Sequence, residues 1–594
     1  MERADIAEHY TWDLSSIFES DGAFLAELER AQAFPEQLEA FKGTLARAGQ
    51  LLSFLQLDDE CDIALGKLYN YAARKSDEDT RNSTYQDFQA QVETLCVKAA
   101  SACSWFSNEL LALGAQAVEE LYAAQPGLEL YRRSLEQVFR RAPHVLGPAE
   151  EALLAAAQDL AGQPENTFSM LNDADMRFED AVDSDGEAHP VTHGSYIPLL
   201  MSQDRTLRTS AYRSLYSAYG QFRNTSAAIM ASQMKQLKFF ADARRYSSTL
   251  EAALDANEVP VEVYTQLIEA VHANTAALHK YTALRKRVLG LDELRFYDLY
   301  VPMVAGVDMH FSYEEACELI LKALAPLGED YLDIVREGLS QRWVDVYETP
   351  GKRSGAYSAG GYGMHPVILM NFQGELDDVF TLVHEMGHSI HTYLSCANQP
   401  SRYADYVIFV AEVASTCNEA LLMRYLLDHA SSAQEKAYLL NHFTEQFRGT
   451  LYRQTMFAEF ELKVNELAAT GAGITADALC EIYAQLNRAY FGDDVVVDEQ
   501  IALEWSRIPH FYYRYYVYQY ATGYAAAIAL SKRILEEGAP AVADYKRFLS
   551  GGSSATPLEL LRIAGVDMAT PAPVTSALQL FDQLVDELAG LLSS

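Results

Sequence analysis

Basic residues are scarce in this chain: 46 Lys and Arg stand against 83 Asp and Glu, a formal net charge of −37 over 594 residues. A surface of that sign repels phosphate backbones and anionic bilayers, so neither nucleic acid nor membrane is expected as a partner. Paired cysteines are lacking too. The seven (Cys61, Cys96, Cys103, Cys317, Cys396, Cys417 and Cys480) are an odd number, scattered and without a Cys-x-x-Cys spacing. That excludes a disulfide framework and a zinc finger. Long apolar runs are missing as well. Residues 1–9 hold no hydrophobic core of the signal-peptide kind, and the most apolar late stretch, Tyr520 to Leu530, is too short to cross a bilayer. A cytoplasmic protein is expected. Its length exceeds one ordinary core, so two or more lobes are expected.

Histidine is also scarce, with 14 in the chain, and three of the 14 fall in one stretch. The sequence Asp377-Asp378-Val379-Phe380-Thr381-Leu382-Val383-His384-Glu385-Met386-Gly387-His388-Ser389-Ile390-His391 contains His-Glu-x-x-His. Apolar residues at three- and four-residue spacing and two acids in the first turn predict a helix near 378–393. His384 and His388, four apart, share a face and can direct nitrogens at one ion at the ~2.0–2.1 Å that zinc requires. Glu385 is turned about 100° away. It cannot easily ligate the same ion, but it can reach a water on it, where a general base belongs. Gly387 in mid-helix costs ~1 kcal/mol relative to Ala, which points to another backbone packed close by.

A catalytic zinc typically takes three protein ligands and leaves a position for water. His391 lies about 10 Å of helix rise from His384, too far to share a small ion, and reads as a second-layer or packing residue. The better third ligand is Glu412, an acid inside an otherwise apolar helix predicted near 405–428. Glu419, two turns on, can accept a hydrogen bond from a ligating histidine and fix its tautomer. Cys417 on the same helix reads as a small buried residue.

Elsewhere the sequence is organised without catalytic spacing. Residues 14–161 read as helices, with amphipathic faces at Phe24, Leu25 and Leu28 and at Leu65, Leu68 and Tyr69. The period changes between 167 and 199, where Asp183-Ser184-Asp185-Gly186 signals a hairpin turn. His189 and His193 beside it read as surface histidines. Asp204 then caps a new helical series, which runs to about Gly290 with a break near residues 257–260. A division is expected there: 1–200 as an N-terminal helical lobe ending in the hairpin, 201–594 as a catalytic segment. Five glycines fall between 351 and 363. With the apolar run 366–372 they read as an edge strand and glycine loop, able to take an extended peptide by main-chain hydrogen bonds, with Gly360 and Gly361 allowing close approach. The stretch lacks a Gly-Lys-[Ser/Thr] ending, so it is not a phosphate loop. Segment 508–524 carries seven tyrosines from Tyr512 to Tyr524, more than a dry core accommodates, because each buried hydroxyl needs a partner.

In combination, His384-Glu385-Met386-Gly387-His388-Ser389-Ile390-His391 and Phe409-Val410-Ala411-Glu412-Val413-Ala414-Ser415 resemble the thimet oligopeptidase family of zinc peptidases (peptidase family M3), and most of all its oligoendopeptidase F branch. Tyr10-Thr11-Trp12-Asp13-Leu14-Ser15, Tyr297-Asp298-Leu299-Tyr300 and Ile508-Pro509-His510-Phe511-Tyr512 extend the likeness over essentially the whole chain. The resemblance implies a mainly α-helical, two-lobed fold with a deep central cleft and a small sheet beside the zinc helix. It implies one zinc ion per chain on His384, His388 and Glu412, Glu385 as the base, and oligopeptides cut internally as substrates. It further implies that His510 and one or more tyrosines stabilise the oxyanion. Tyr516 and Tyr520, four apart and so on one helical face, are the first choice, and Tyr518 the alternate. A helical zinc carboxypeptidase is a second reading, and it needs a cationic pocket, for which Arg514 is the basic residue within the tyrosine-rich segment; a non-catalytic peptide-binding protein that keeps the fold is a third, and it predicts a damaged site, whereas His384, Glu385, His388 and Glu412 are all present.

Overall fold

Apolar residues recur at helical spacing along most of the sequence, and helices fill most of the computed structural model, which describes residues 2–304, 306–307 and 309–593. Met1 and Ser594, the outer bounds of the two expected segments, lie outside the described residues. Five helices carry the residues discussed below: α1 (Val261–His272), α2 (Leu376–Asn398), α3 (Ile408–His429), α4 (Arg453–Ala469) and α5 (Tyr518–Glu537). The strands are short: β1 (Ala181–Val182), β2 (Ala188–His189), β3 (Leu294–Arg295), β4 (Val344–Asp345), β5 (Tyr357–Ala359), β6 (Val367–Leu369) and β7 (Val495–Val496).

By packing, the chain falls into two units, each drawn from three separated stretches. The first comprises Met1–Pro148, Met309–Leu422 and Leu530–Gly565, the second Ala149–Asp308, Met423–Ala529 and Val566–Ser594. The expected division at residue 200 follows chain order, whereas these units follow packing, and local periodicity carries no signal of which segments return to which core.

In the first unit the N-terminal helices bury Phe24, Leu28, Phe54, Leu68 and Phe88 in a core that Val367 and Leu369 of β6 join. The apolar faces are narrower than the sequence spacing shows, because Leu25 and Tyr69 are exposed. β6 is the middle strand of a three-stranded sheet, parallel to β4 and antiparallel to β5. This corrects the expected edge strand over 366–372. Val367, Ile368 and Leu369 are each at most 2% exposed, and an apolar run buried on both faces belongs in a sheet's centre. The edges are instead β4 and β5, and β5 lies inside the glycine-rich stretch.

In the second unit the expected hairpin forms, with Ala181 opposite His189 and Val182 opposite Ala188, and Gly186 supplies the turn at φ +86°. Asp204 caps Arg205–Gln221 by accepting from the Thr206 N–H. Helices Thr249–Asp255, α1 and Thr275–Val288 follow, interrupted at 256–260 as the sequence indicates. β3 and β7 pair in parallel. Among the described residues, no helix is long and apolar enough to cross a membrane.

Candidate metal centre and the tyrosine-rich segment

Helix α2 begins where Asp378 accepts hydrogen bonds from the backbone N–H groups of Gln373 and Glu375, at 2.9 and 3.0 Å. It continues through both histidines. Gly387 explains how α3 comes to lie against it. A Cβ built on Gly387 would sit 2.6 Å from Cα of Ser415 and 2.8 Å from the Ala414 carbonyl oxygen. The two backbones therefore touch at this glycine, which brings Glu412 and Glu419 of α3 on either side of the contact to the histidines of α2.

Three donor atoms converge there. His384 Nε2 and His388 Nε2 are 3.2 Å apart, and Glu412 Oε2 lies 3.4 Å from the first and 3.5 Å from the second. A tetrahedral centre with bonds of ~2.0–2.1 Å separates its ligands by about 3.3–3.4 Å. The triangle therefore has the size that a zinc-like ion needs, with the donor set of two imidazoles and one carboxylate. His384, His388 and Glu412 form a group able to hold a metal. Glu419 accepts a hydrogen bond from His384 Nδ1 at 2.5 Å, which leaves the Nε2 lone pair facing the other two donors.

The charge balance calls for a cation between them. Burial alone would lower the His384 imidazolium, yet hydrogen bonds to Glu412 and Glu419 outweigh it and lift the group to about 10. Burial alone would raise Glu412, yet the two imidazoles hold its carboxylate well below the usual range. Two carboxylates facing two imidazoles favour positive charge among them, which a metal cation can supply. Glu385 is 8% exposed. Burial raises its carboxyl above the ordinary value, tempered by the charges of His384 and His388 and by the backbone of Ser358 on the edge strand β5.

The remaining residues expected in this unit sort differently. His391 is fully buried, stacked on Tyr406 with ring centroids 3.7 Å apart and near Phe548, and burial pushes it down to about 3. Of its two readings, the surroundings are those of a packing residue. Gly360 and Gly361 follow β5 and line a cavity of about 460 Å³ with Asn70, Tyr362, Thr392 and Tyr406. Gly360 is wedged against Pro366 and Thr392, 3.2 and 3.1 Å from a Cβ at that position. Ser358 is a contributor that sequence spacing did not mark; its hydroxyl also meets that of Ser389 at 2.8 Å.

In the second unit, His510 lies in the short helix Pro509–Tyr512 and α5 starts only at Tyr518. Tyr516 therefore precedes the helix, and the expected shared helical face does not exist. A turn brings the rings together instead. Tyr516 and Tyr520 are 5.3 Å apart, His510 is 5.8 Å from Tyr520, and the Tyr520 hydroxyl is 3.4 Å from His510 Nε2. Burial lowers the His510 imidazolium, which favours the neutral ring. Tyr518 is not in this group: it is 1% exposed and packs on Tyr264. Arg514 borders a different cavity of about 400 Å³ with Glu151, Arg244 and Tyr246.

A family model described as "Peptidase family M3" matches residues 199–580, and one described as "Oligopeptidase F" matches residues 109–178. The chain is 46% identical over 592 residues to Oligopeptidase PepF of Bacillus subtilis (strain 168), across 100% of this chain and 88% of that one. It is 39% identical over 594 residues to an Oligoendopeptidase F homolog of Lactococcus lactis subsp. lactis (strain IL1403), across 99% and 98%. Among solved structures, a putative peptidase from Chlamydophila abortus superposes with a TM-score of 0.93 at 36% identity, covering 99% of each chain. Oligoendopeptidase-F from Enterococcus faecium gives 0.76 at 37% identity, covering 96% of this chain and 99% of that one.

Proposed function

The chain belongs to peptidase family M3, and from that premise we propose that it is a zinc-dependent endopeptidase hydrolysing internal bonds of oligopeptides. The observation that carries the reading is the triangle of His384 Nε2, His388 Nε2 and Glu412 Oε2, with edges of 3.2 to 3.5 Å and Glu385 next to it in sequence. One zinc ion held by those three residues would supply Lewis-acid chemistry, polarising the scissile carbonyl and acidifying a water.

The chain's own groups do the rest. Glu385 takes a proton from the attacking water onto a carboxylate oxygen and passes it to the departing amine nitrogen, so it ends the cycle as it began. Its burial, which favours the protonated form, suits a base that must hold that proton between the two steps. Glu419 keeps the His384 proton on Nδ1. His510, Tyr516 and Tyr520 are proposed as donors to the oxyanion of the tetrahedral intermediate. The edge of β5 offers main-chain groups to an extended peptide, which recognises peptides without demanding a sequence. Seven free cysteines support a reducing, cytoplasmic setting.

The test is hydrolysis of a doubly blocked, internally quenched peptide of about ten residues, a length fitting an oligopeptide bound in extended form. It is run with and without chelator and zinc re-addition, with product masses read. Internal cleavage abolished by chelator and restored by zinc is the expected result. Trimming of the unblocked peptide alone would replace this reading with an exopeptidase.

A further inference from the structure

The bend that leads from His510 to Tyr516 is held in an unusual way. Arg514 and Tyr515 have φ of +57° and +59°, consecutive residues in the left-handed region that bulky side chains rarely enter. Such backbone persists only where its surroundings over-determine it, and it gathers at functional sites. Here the surroundings are specific. The Tyr515 N–H donates to Glu461 Oε1 of α4 at 2.6 Å. The Tyr515 phenol meets the Thr249 hydroxyl at 2.8 Å, and its ring packs edge-on against Tyr264 of α1. Upstream, Gln233 Nε2 donates to the Tyr512 carbonyl at 3.1 Å, and Tyr512 stacks on Phe168.

Glu461 is an odd residue for that place. It is 1% exposed, and its second oxygen, Oε2, is buried with no hydrogen-bond partner among the described residues. A buried, half-satisfied carboxyl is unfavourable beside an apolar side chain of like volume. Burial pushes it up to about 8, against the pull of the Tyr515 N–H, so at neutral pH it is largely the uncharged acid. What it supplies is one acceptor, aimed at an N–H that the left-handed bend turns into the core. With Tyr515 pinned inward, its neighbours face the other way: Tyr513 is 42% exposed, and Tyr516 joins Tyr520 and His510.

We propose that Glu461 is a positioning residue for peptide hydrolysis, its hydrogen bond to the Tyr515 N–H fixing the bend that sets Tyr516 and Tyr520 beside His510. This rests on the reading of those three residues as oxyanion donors, and the test separates the two ideas. Steady-state kinetics on the blocked peptide, with thermal melting as the folding control, are run for Glu461→Leu, Glu461→Asp and Glu461→Gln. Glu461→Leu removes the acceptor at similar volume, and Glu461→Asp withdraws it by one methylene. Both are expected to lower kcat about 10–100-fold with KM within about twofold, the scale on which a misplacement near 1 Å acts. Glu461→Gln, which matches the neutral acid in shape and keeps a carbonyl acceptor, is expected to retain at least about half of wild-type kcat.

Wild-type kcat in folded Glu461→Leu or Glu461→Asp overturns the proposal. So does a Glu461→Gln enzyme as slow as Glu461→Leu. Failure of both shortened or apolar variants to fold also overturns it, in favour of a purely structural acceptor. If Tyr516→Phe and Tyr520→Phe leave turnover intact, the underlying oxyanion reading fails instead, whatever the Glu461 variants do.

Discussion

The metal-centre residues and the tyrosine-rich segment present polar rings in different ways. His384 and His388 project from one continuous helix, and their partners Glu412 and Glu419 come from a second helix that touches the first at Gly387. Helical repeat and one close backbone contact are enough to place four side chains. His510, Tyr516 and Tyr520 come from a short helix, a bend and the first turn of α5. Their arrangement depends on two left-handed residues held by Glu461, Thr249 and Tyr264, which are about 50 to 270 positions away in sequence. The first site is a product of local geometry and the second of long-range restraint. Substitutions should therefore affect them differently.

The largest effect is expected at Glu385. Glu385→Gln should cut turnover on the order of 10³–10⁴-fold while leaving metal content, read by elemental analysis, at the wild-type level. A variant that turned over normally would remove the base from the mechanism. Next come the proposed oxyanion donors: Tyr516→Phe or Tyr520→Phe should cost ~10²–10³ in kcat with little change in KM. Glu419→Ala should follow, weakening metal affinity or activity by about 10–100-fold, measured by chelator competition. Full affinity there would mean that His384 needs no tautomer partner. Gly387→Ala probes the helix contact itself. Its methyl would meet the Ser415 backbone at 2.6 Å, so a loss of about 1–3 kcal/mol in denaturant stability is expected, with metal affinity falling alongside. Unchanged stability would show that α3 yields freely. The smallest effect belongs to Tyr518, whose packing on Tyr264 makes Tyr518→Phe neutral for turnover within about twofold. A large kcat loss would return it to the site.

Legibility in the sequence follows the same divide. The helix around His384, the distance of Glu412 and Glu419 along the next helix, and the need for a backbone against Gly387 all follow from a 3.6-residue period and one costly glycine. The hairpin near Gly186 and the Asp204 cap were legible for equally local reasons. Residues 366–372 misled because an apolar run marks a strand without saying which neighbours it will have. The partners β4 and β5 come from loops with no pattern of their own. Tyr516 and Tyr520 are neighbours, as their spacing indicated, but for a different reason, since the helix that would align them begins two residues too late. The bend that leads from His510 to Tyr516 depends on Glu461 and Thr249, which no local window contains. Ser358 was hidden likewise, as one small residue in a glycine-rich stretch, distinguished by its hydroxyl contact with Ser389 of α2 and by its backbone acting on Glu385.

The measurement that tests the central claim most directly is metal content against turnover in three proteins: wild type, Glu385→Gln and Glu412→Ala. The account predicts one zinc per chain in the first two, activity in the first alone, and loss of both metal and activity in the third. Stoichiometric zinc in Glu412→Ala, or full turnover in any protein stripped of metal, would contradict it.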